Sequence, residues 1–166
     1  MKIAILSDTH NHQGNIQKTV SLIHKFRPTS LIFCGDATTL ESIQWFCEYP
    51  IIYTNGNCDE LTGEIKSYLS ALRNNSFVGN TFKGQILGKR IGVTHGHIPG
   101  VLDDMINSSQ FDYIFTGHTH LRMNKRVGNT RVVNPGALGG LRKESRSFAI
   151  LDLNLDELQF VTIDEE

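Results

Sequence analysis

This sequence predicts an α/β fold in which two packed sheets carry helices on the outside, and three observations predict it. Three strand–helix units follow one another at the start of the chain, which implies right-handed crossovers and a parallel sheet. After residue 121 the pattern turns antiparallel, with short strands joined at Gly128-Asn129 and at residues 154–157. No repeat, low-complexity stretch or linker interrupts the 166 residues, which suffice for one real core, so residues 1–166 read as a single domain. This order of elements fits two sheets better than a single doubly wound one.

Residues 2–6 are a β-rich apolar run closed abruptly by Ser7-Asp8-Thr9-His10, the pattern of a buried strand ending at the mouth of a sheet. Gln13-Gly14 opens a helix in which Ile16, Val20, Ile23 and Phe26 recur at helical spacing, with Pro28 just past its end. His24 lies on that helix without an acidic or histidine neighbour at ligand spacing, and reads as a surface or boundary residue. Residues 30–34 form a second strand that ends in Gly35-Asp36. Leu40, Ile43 and Phe46 mark a short helix, and residues 51–53 a third strand ending in Asn55-Gly56-Asn57-Cys58-Asp59. Ile65, Tyr68, Leu69 and Leu72 suggest a helix that Arg73-Asn74-Asn75-Ser76 breaks. Residues 81–87 and 91–94 flank Gly88-Lys89-Arg90 as a hairpin, and its second strand runs into Thr94-His95-Gly96-His97. Pro99-Gly100 begins a helix with Val101, Leu102, Met105 and Ile106 on one face. Residues 112–116 are another buried strand, ending in Gly117-His118-Thr119-His120. Strands at 122–127, 130–133, 148–153 and 158–163 complete the chain.

Composition narrows the function classes. The hydrophobic and charged fractions, 39% and 20%, are ordinary globular values, and a formal net charge of −1 makes no global case for nucleic acid or an acidic membrane surface. Residues 122–146 hold Arg122, Lys125, Arg126, Arg131, Arg142, Lys143 and Arg146 against Glu144 alone, while the tail after Asp152 is acidic. A solvated hairpin face accounts for this basic stretch better than a substrate-steering patch. Cys34, Cys47 and Cys58 are odd in number and lack C-x-x-C spacing, which points to a reducing compartment rather than a disulfide framework. The first apolar run is too short for a signal peptide, and no apolar run of about 18 residues occurs. A cytoplasmic protein without membrane contact is the expectation.

Five strands end in short polar clusters: Asp8 with His10, Asp36, Asn57, His95, and His118 with His120. Ligands of open α/β sheets bind at the carboxyl ends of strands, and five such coincidences are hard to explain as packing. Imidazole and carboxylate oxygen without thiolate suit manganese, iron, zinc, nickel or cobalt rather than calcium. Seven protein ligands are too many for one ion and right for two. Asp36 is the natural bridge, because a carboxylate has two oxygens. Asp8, His10 and His120 complete one ion, and Asn57, His95 and His118 the other.

The motifs D-x-H, G-D, G-N-x-D, H-G and G-H-T-H, in this order, resemble the calcineurin-like metallophosphoesterase superfamily, and the G-N-C-D and T-G-H-T-H wording resembles its small phosphodiesterase branch. The resemblance runs from Asp8 to Asn134-Pro135-Gly136. It implies a four-layer αββα sandwich of two mixed β-sheets flanked by helices, with a dinuclear metal site between the tops of the sheets. It also implies a phosphodiesterase in which a metal-bridging hydroxide attacks a phosphate diester, with manganese placed first among the metals. Two divalent ions bring about +4, and Asp8, Asp36 and the hydroxide about −3. The residual of about +1 attracts a monoanionic diester.

Cys58 departs from the superfamily pattern. The larger phosphatases have a histidine after that asparagine, thought to protonate the leaving group, with the next acid orienting it; here Cys58-Asp59 stands there. A thiol of pKa about 8.5 matches that role poorly at neutral pH. Slow turnover is expected unless the leaving group is good, or unless His97 or water gives the proton. Asn11 and His97 are the candidate phosphate contacts, with His12 behind them. The same branch includes a retromer scaffold subunit, so a non-catalytic scaffold is the alternative reading, although a scaffold has no need of four metal-ligand histidines. A nuclease needs a basic channel or added domain, for which only residues 122–146 leave room. The resemblance also admits a homo-oligomer, though no interface stripe is visible.

Overall fold

The computed structural model describes residues 1–60 and 62–163, so the acidic tail expected after Asp152 falls partly outside the described residues. The elements run β1 (Lys2–Leu6), α1 (Gln13–Phe26), β2 (Ser30–Phe33), α2 (Leu40–Gln44), β3 (Ile51–Thr54), α3 (Thr62–Ala71), β4 (Phe77–Gly79), β5 (Thr81–Ile86), β6 (Lys89–Thr94), α4 (Val101–Asn107), β7 (Tyr113–Phe115), β8 (Arg122–Val127), β9 (Thr130–Pro135), β10 (Ser147–Asp152) and β11 (Glu157–Thr162). One sheet has the order β11-β10-β1-β2-β3-β4 and the other β5-β6-β7-β9-β8. Strands β1 to β4 are parallel, as are β6, β7 and β9, while β10, β11, β5 and β8 join antiparallel.

Strand periodicity builds the layers. Successive side chains of a strand point to opposite faces. Ile3 and Ile5 therefore enter the core between the sheets with Ile32, Val93, Phe115 and Leu151. Ala4 and Leu6 turn the other way, toward Ile16 and Ile23 of α1, Ile43 of α2 and Ile65 of α3. A third cluster seats Met105 of α4 on Ile114 and Val132. The layers are helices, sheet, sheet, helix, as the two-sheet expectation requires.

Two details differ from the sequence expectation. The hairpin turns at Leu87-Gly88 (φ 50° and 72°) with Ile86 opposite Lys89, so Lys89 and Arg90 belong to β6 rather than to the turn. Two consecutive left-handed residues match strand twist, and that two-residue geometry wins over a longer loop. Strand β4 was not expected; its three residues are too short to show alternation, and they form because Ile52 pairs with Phe77 at the sheet edge. The basic stretch 122–146 is also more than a solvated face. Arg131 and Arg146 are each 8% exposed and make hydrogen bonds inside the protein.

Candidate metal centre

Because β1, β2 and β3 are parallel, and β6 and β7 are parallel, their carboxyl ends deliver Asp8, Asp36, Asn57, His95 and His118 to one edge of the sandwich. The backbone bends hard there. Asp8, His10, Asp36, His118 and His120 hold φ of 54°, 43°, 58°, 66° and 58°, values that cost side-chain-bearing residues free energy and concentrate at functional sites. Gly35 (φ 92°) makes the crowding visible: a Cβ there would lie 2.8 Å from Gly56 N, His95 Nδ1 and Thr54 O.

The side chains meet across the two sheets. His10 Nε2 lies 3.3 Å from His120 Nε2, 3.9 Å from Asp8 Oδ1 and 3.7 Å from Asp36 Oδ2. His120 Nε2 is 3.2 Å from Asp8 Oδ1, and His95 Nε2 is 3.4 Å from Asp36 Oδ2 and 3.2 Å from Asn57 Oδ1. The His118 ring packs 5.1 Å from that of His95, and its backbone N–H donates to Asp8 Oδ2 at 3.0 Å. Asp8, His10 and His120 form one group with ligand atoms close enough to share an ion, and Asp8, Asp36 and His95 a second. A third group, His10, Asp36 and Cys58, adds a sulfur that the sequence reading had left out of the ligand set.

Hydrogen bonding orients the ligands. His95 Nδ1 donates to the Cys34 carbonyl at 2.5 Å, and His120 Nδ1 to the Leu141 carbonyl at 2.8 Å. A carbonyl only accepts, so each ring keeps its proton at Nδ1 and aims Nε2 at a carboxylate. Asp8 Oδ1 is fully buried and makes no hydrogen bond, although Oδ2 accepts from Ser7 Oγ and His118 N. Acceptors thus face acceptors, an arrangement that needs protons or cations between them. The donor set fits divalent metal.

Charge proximity bears this out. Burial would raise the Asp36 carboxyl, but the nearby His95 ring and the hydrogen bond from the Cys58 N–H hold it well below the usual range. Burial lowers His95, yet Asp36 and Asp8 together push it above its ordinary value; the adjacent Asp8 carboxylate raises His120. Burial lowers His10, His97 and His118, the last two with help from His95.

The remaining predicted residues divide. His97 stands beside the centre, its ring 5.2 Å from His95 and 6.3 Å from His118, with a buried, unpartnered Nδ1. The Cys58 thiol is pushed up to about 11 by burial and the Asp36 carboxylate. Asp59 does not orient that thiol. Its Oδ2 accepts from Asp36 N (2.9 Å), Gly56 N (2.7 Å) and Tyr53 Oη (2.6 Å), and its Oδ1 from Thr38 N (2.9 Å). Asp59 therefore holds the Asp36 loop in shape. Asn11 Oδ1 accepts from Gln13, Thr39 and Ser42. His12 caps α1 through Asn15 N.

Sequence reasoning missed the segment after Gly136. Gly139 N donates to the Asp8 carbonyl at 2.7 Å, and Gly140 (φ 64°) lies against His10 and His120 where a Cβ would collide with both rings. The Gly139-Gly140 pair was the available signal.

A family model for the calcineurin-like phosphoesterase superfamily domain matches residues 1–156. The chain belongs to that superfamily. A phosphodiesterase of Methanocaldococcus jannaschii is 31% identical over 166 residues, covering 99% of this chain and 100% of the relative. The solved structure of an archaeal phosphodiesterase superposes with a TM-score of 0.92 at 32% identity, covering 98% of this chain and 100% of the other. Vps29 from Entamoeba histolytica, solved with zinc, superposes with a TM-score of 0.69 at 22% identity, covering 96% and 90%; that likeness concerns the fold alone. As in this superfamily generally, the centre calls for divalent metal ions.

Proposed function

We propose that this calcineurin-like phosphoesterase is a metal-dependent phosphodiesterase acting on a small phosphate diester, within one catalytic domain spanning the chain. One observation carries the reading: the buried, unpaired Asp8 Oδ1 faces His120 Nε2, whose other nitrogen is already bound to Leu141 O. Asp8, His10, Asp36 and His120 would hold one ion, and Asp36, Asn57, His95 and His118 the other. Two divalent ions, when bound, supply positive charge against the phosphoryl oxygens and a water acidified to neutral pH. The nitrogen and oxygen ligands place manganese first, and the same set accepts nickel, iron, zinc or cobalt.

The chain's own groups do the rest. Asp59 accepts from the Asp36 backbone N–H, and the Cys58 N–H donates to Asp36 Oδ1, so that carboxylate is fixed relative to the loop below. Leu141 and Cys34 carbonyls keep His120 and His95 in the tautomer that presents Nε2. His97, held neutral, hydrogen-bonds a phosphoryl or leaving oxygen, and the Cys58 thiol retains its proton at neutral pH. Leaving groups that depart without protonation, such as nitrophenolate, are then cleaved best. Three free cysteines, one buried, support a reducing cytoplasm as its location; no helix among the described residues is long and apolar enough to cross a membrane.

A metal-reconstituted screen of nitrophenyl diesters and monoesters tests the reading. Diester hydrolysis that chelation abolishes supports it. Turnover that survives exhaustive chelation, or bound metal with no turnover on any ester, would overturn it and favour a scaffold.

A further inference from the structure

Along β1 the positions that face the opposite sheet are Ile3 and Ile5, and the next in the alternation is Ser7. Its side chain is fully buried. On β7 the same alternation takes Tyr113 and Phe115 inward and leads to Gly117. The two positions meet: a Cβ on Gly117 would lie 1.9 Å from Ser7 Oγ and 2.8 Å from Asp8 Oδ2. Behind Ile3 and Ile5 a hydroxyl is the misfit, since a buried polar group costs free energy unless it is hydrogen-bonded. An alanine would fill the place without that cost, so the partners of the hydroxyl show what it is for.

Ser7 Oγ has two acceptors in reach, Asp8 Oδ2 and, at 3.3 Å, the Cys34 carbonyl. It has one proton to give. Asp8 Oδ2 is the nearer acceptor and is charged, whereas Cys34 O already takes the His95 Nδ1 proton at 2.5 Å, so the hydroxyl donates to Asp8. With the His118 N–H at 3.0 Å, Oδ2 then holds two donors and Oδ1 none. That imbalance sets the rotation of the carboxylate. Oδ1 is left bare toward His120 Nε2 at 3.2 Å and His10 Nε2 at 3.9 Å. Without the hydroxyl, one backbone donor remains on Oδ2, and the carboxylate is freer to turn about its Cβ–Cγ bond.

We propose that Ser7 is a positioning residue for the metal ion that Asp8, His10 and His120 would hold: its hydroxyl locks the Asp8 carboxylate with Oδ1 turned toward that ion. Gly117 belongs to the same arrangement, because any side chain there would displace the hydroxyl. The inference rests on the metal-centre reading above, and it makes the two ions unequal. Asp36 takes its own donor from the Cys58 N–H, so the ion of Asn57, His95 and His118 does not depend on Ser7. Ser7 touches no reacting atom and acts through Asp8.

Calorimetric titration of the metal-stripped full chain with manganese tests it. The wild type is expected to take up two ions. Ser7→Ala should weaken one of them by roughly 10- to 100-fold, the usual effect of removing a group that orients a ligand, and move the other by less than about threefold. Cobalt loaded into Ser7→Ala should show an altered visible absorption spectrum, because the geometry at one ion has changed. Thr130→Val is the control. It removes an equally buried hydroxyl, bound to Phe111 O at 2.7 Å at the far end of β9, and should leave both affinities at their wild-type values. Equal weakening of both ions, the same loss in Thr130→Val, or a Ser7→Ala chain that does not fold overturns the assignment. If the wild type binds two ions and cleaves diesters while Ser7→Ala binds both as tightly, only this inference falls. If Ser7→Ala weakens one ion while the wild type cleaves no ester, the phosphodiesterase reading falls and the positioning role stands.

Discussion

At one end of the sandwich Asp156, in the turn between β10 and β11, meets Tyr113, Arg126 and Arg131 of the facing sheet; at the other end Asp8 and Asp36 meet His95, His118 and His120. Both clusters tie the same two sheets together through carboxylates. At Asp156 every acceptor has a donor: Tyr113 Oη at 2.9 Å, Arg131 Nη1 at 2.6 Å and the Arg126 guanidinium. At Asp8 an oxygen is left without a partner, and histidine nitrogens turn lone pairs toward it. A structural carboxylate brings its counter-charge with the chain, whereas a ligand carboxylate is folded into place short of it.

That contrast can be broken at either end. The largest effect is expected from Asp36→Asn and His120→Ala, which should each lower kcat/KM by about 10³-fold or more while far-ultraviolet circular dichroism stays native. Activity within tenfold of wild type would mean the chemistry lies elsewhere. Chelation comes next. Ions that bind only the folded state stabilise it by about 3–4 kcal/mol at a few hundred to a thousand times Kd, so the apo protein should melt several degrees lower, and Asp36→Asn should shrink that gap.

Asp156→Ala works in the opposite sense. It should cost about 2 kcal/mol in urea unfolding, because the nearly buried Arg131 loses its partner, yet leave metal-dependent turnover per folded molecule unchanged. A fall in kcat would show that the two ends are coupled.

A smaller effect comes from pH. Burial and the Asp156 carboxylate push Tyr113 up to about 12. The unfolded tyrosine titrates near 10, so its contribution is complete below about pH 10 and is lost as pH climbs from there to about 12. Tyr113→Phe should flatten the alkaline limb of the stability curve in that window. Smallest of all, Cys58→Ser should change kcat on nitrophenyl diesters by less than about threefold, because a thiol held at about 11 gives no proton to a leaving group that needs none. A hundredfold loss would assign the sulfur an active part.

The ligand residues were legible because the signal is local: an apolar run stopped by Asp, Asn or His shows where a strand ends and what its end carries. The same locality explains the failures. Strand β4 is three residues long and shows no period. Asp59 is adjacent to Cys58 in sequence, yet it turns beneath the Asp36 loop, 23 residues away. Arg131 and Arg146 look like their exposed neighbours until the partners Asp156 and the 139–140 carbonyls are in place.

By itself, then, the order of residues settled the alternation that gives β1 two buried faces, the parallel run whose carboxyl ends coincide, and the residue types gathered there. Only the tertiary structure decided which acceptors confront each other without a proton, and that the loop at Gly139 and Gly140 lies against the site. Those are contacts between segments as much as 131 positions apart. Their energy depends on burial and on facing groups, and no stretch of neighbouring residues contains either.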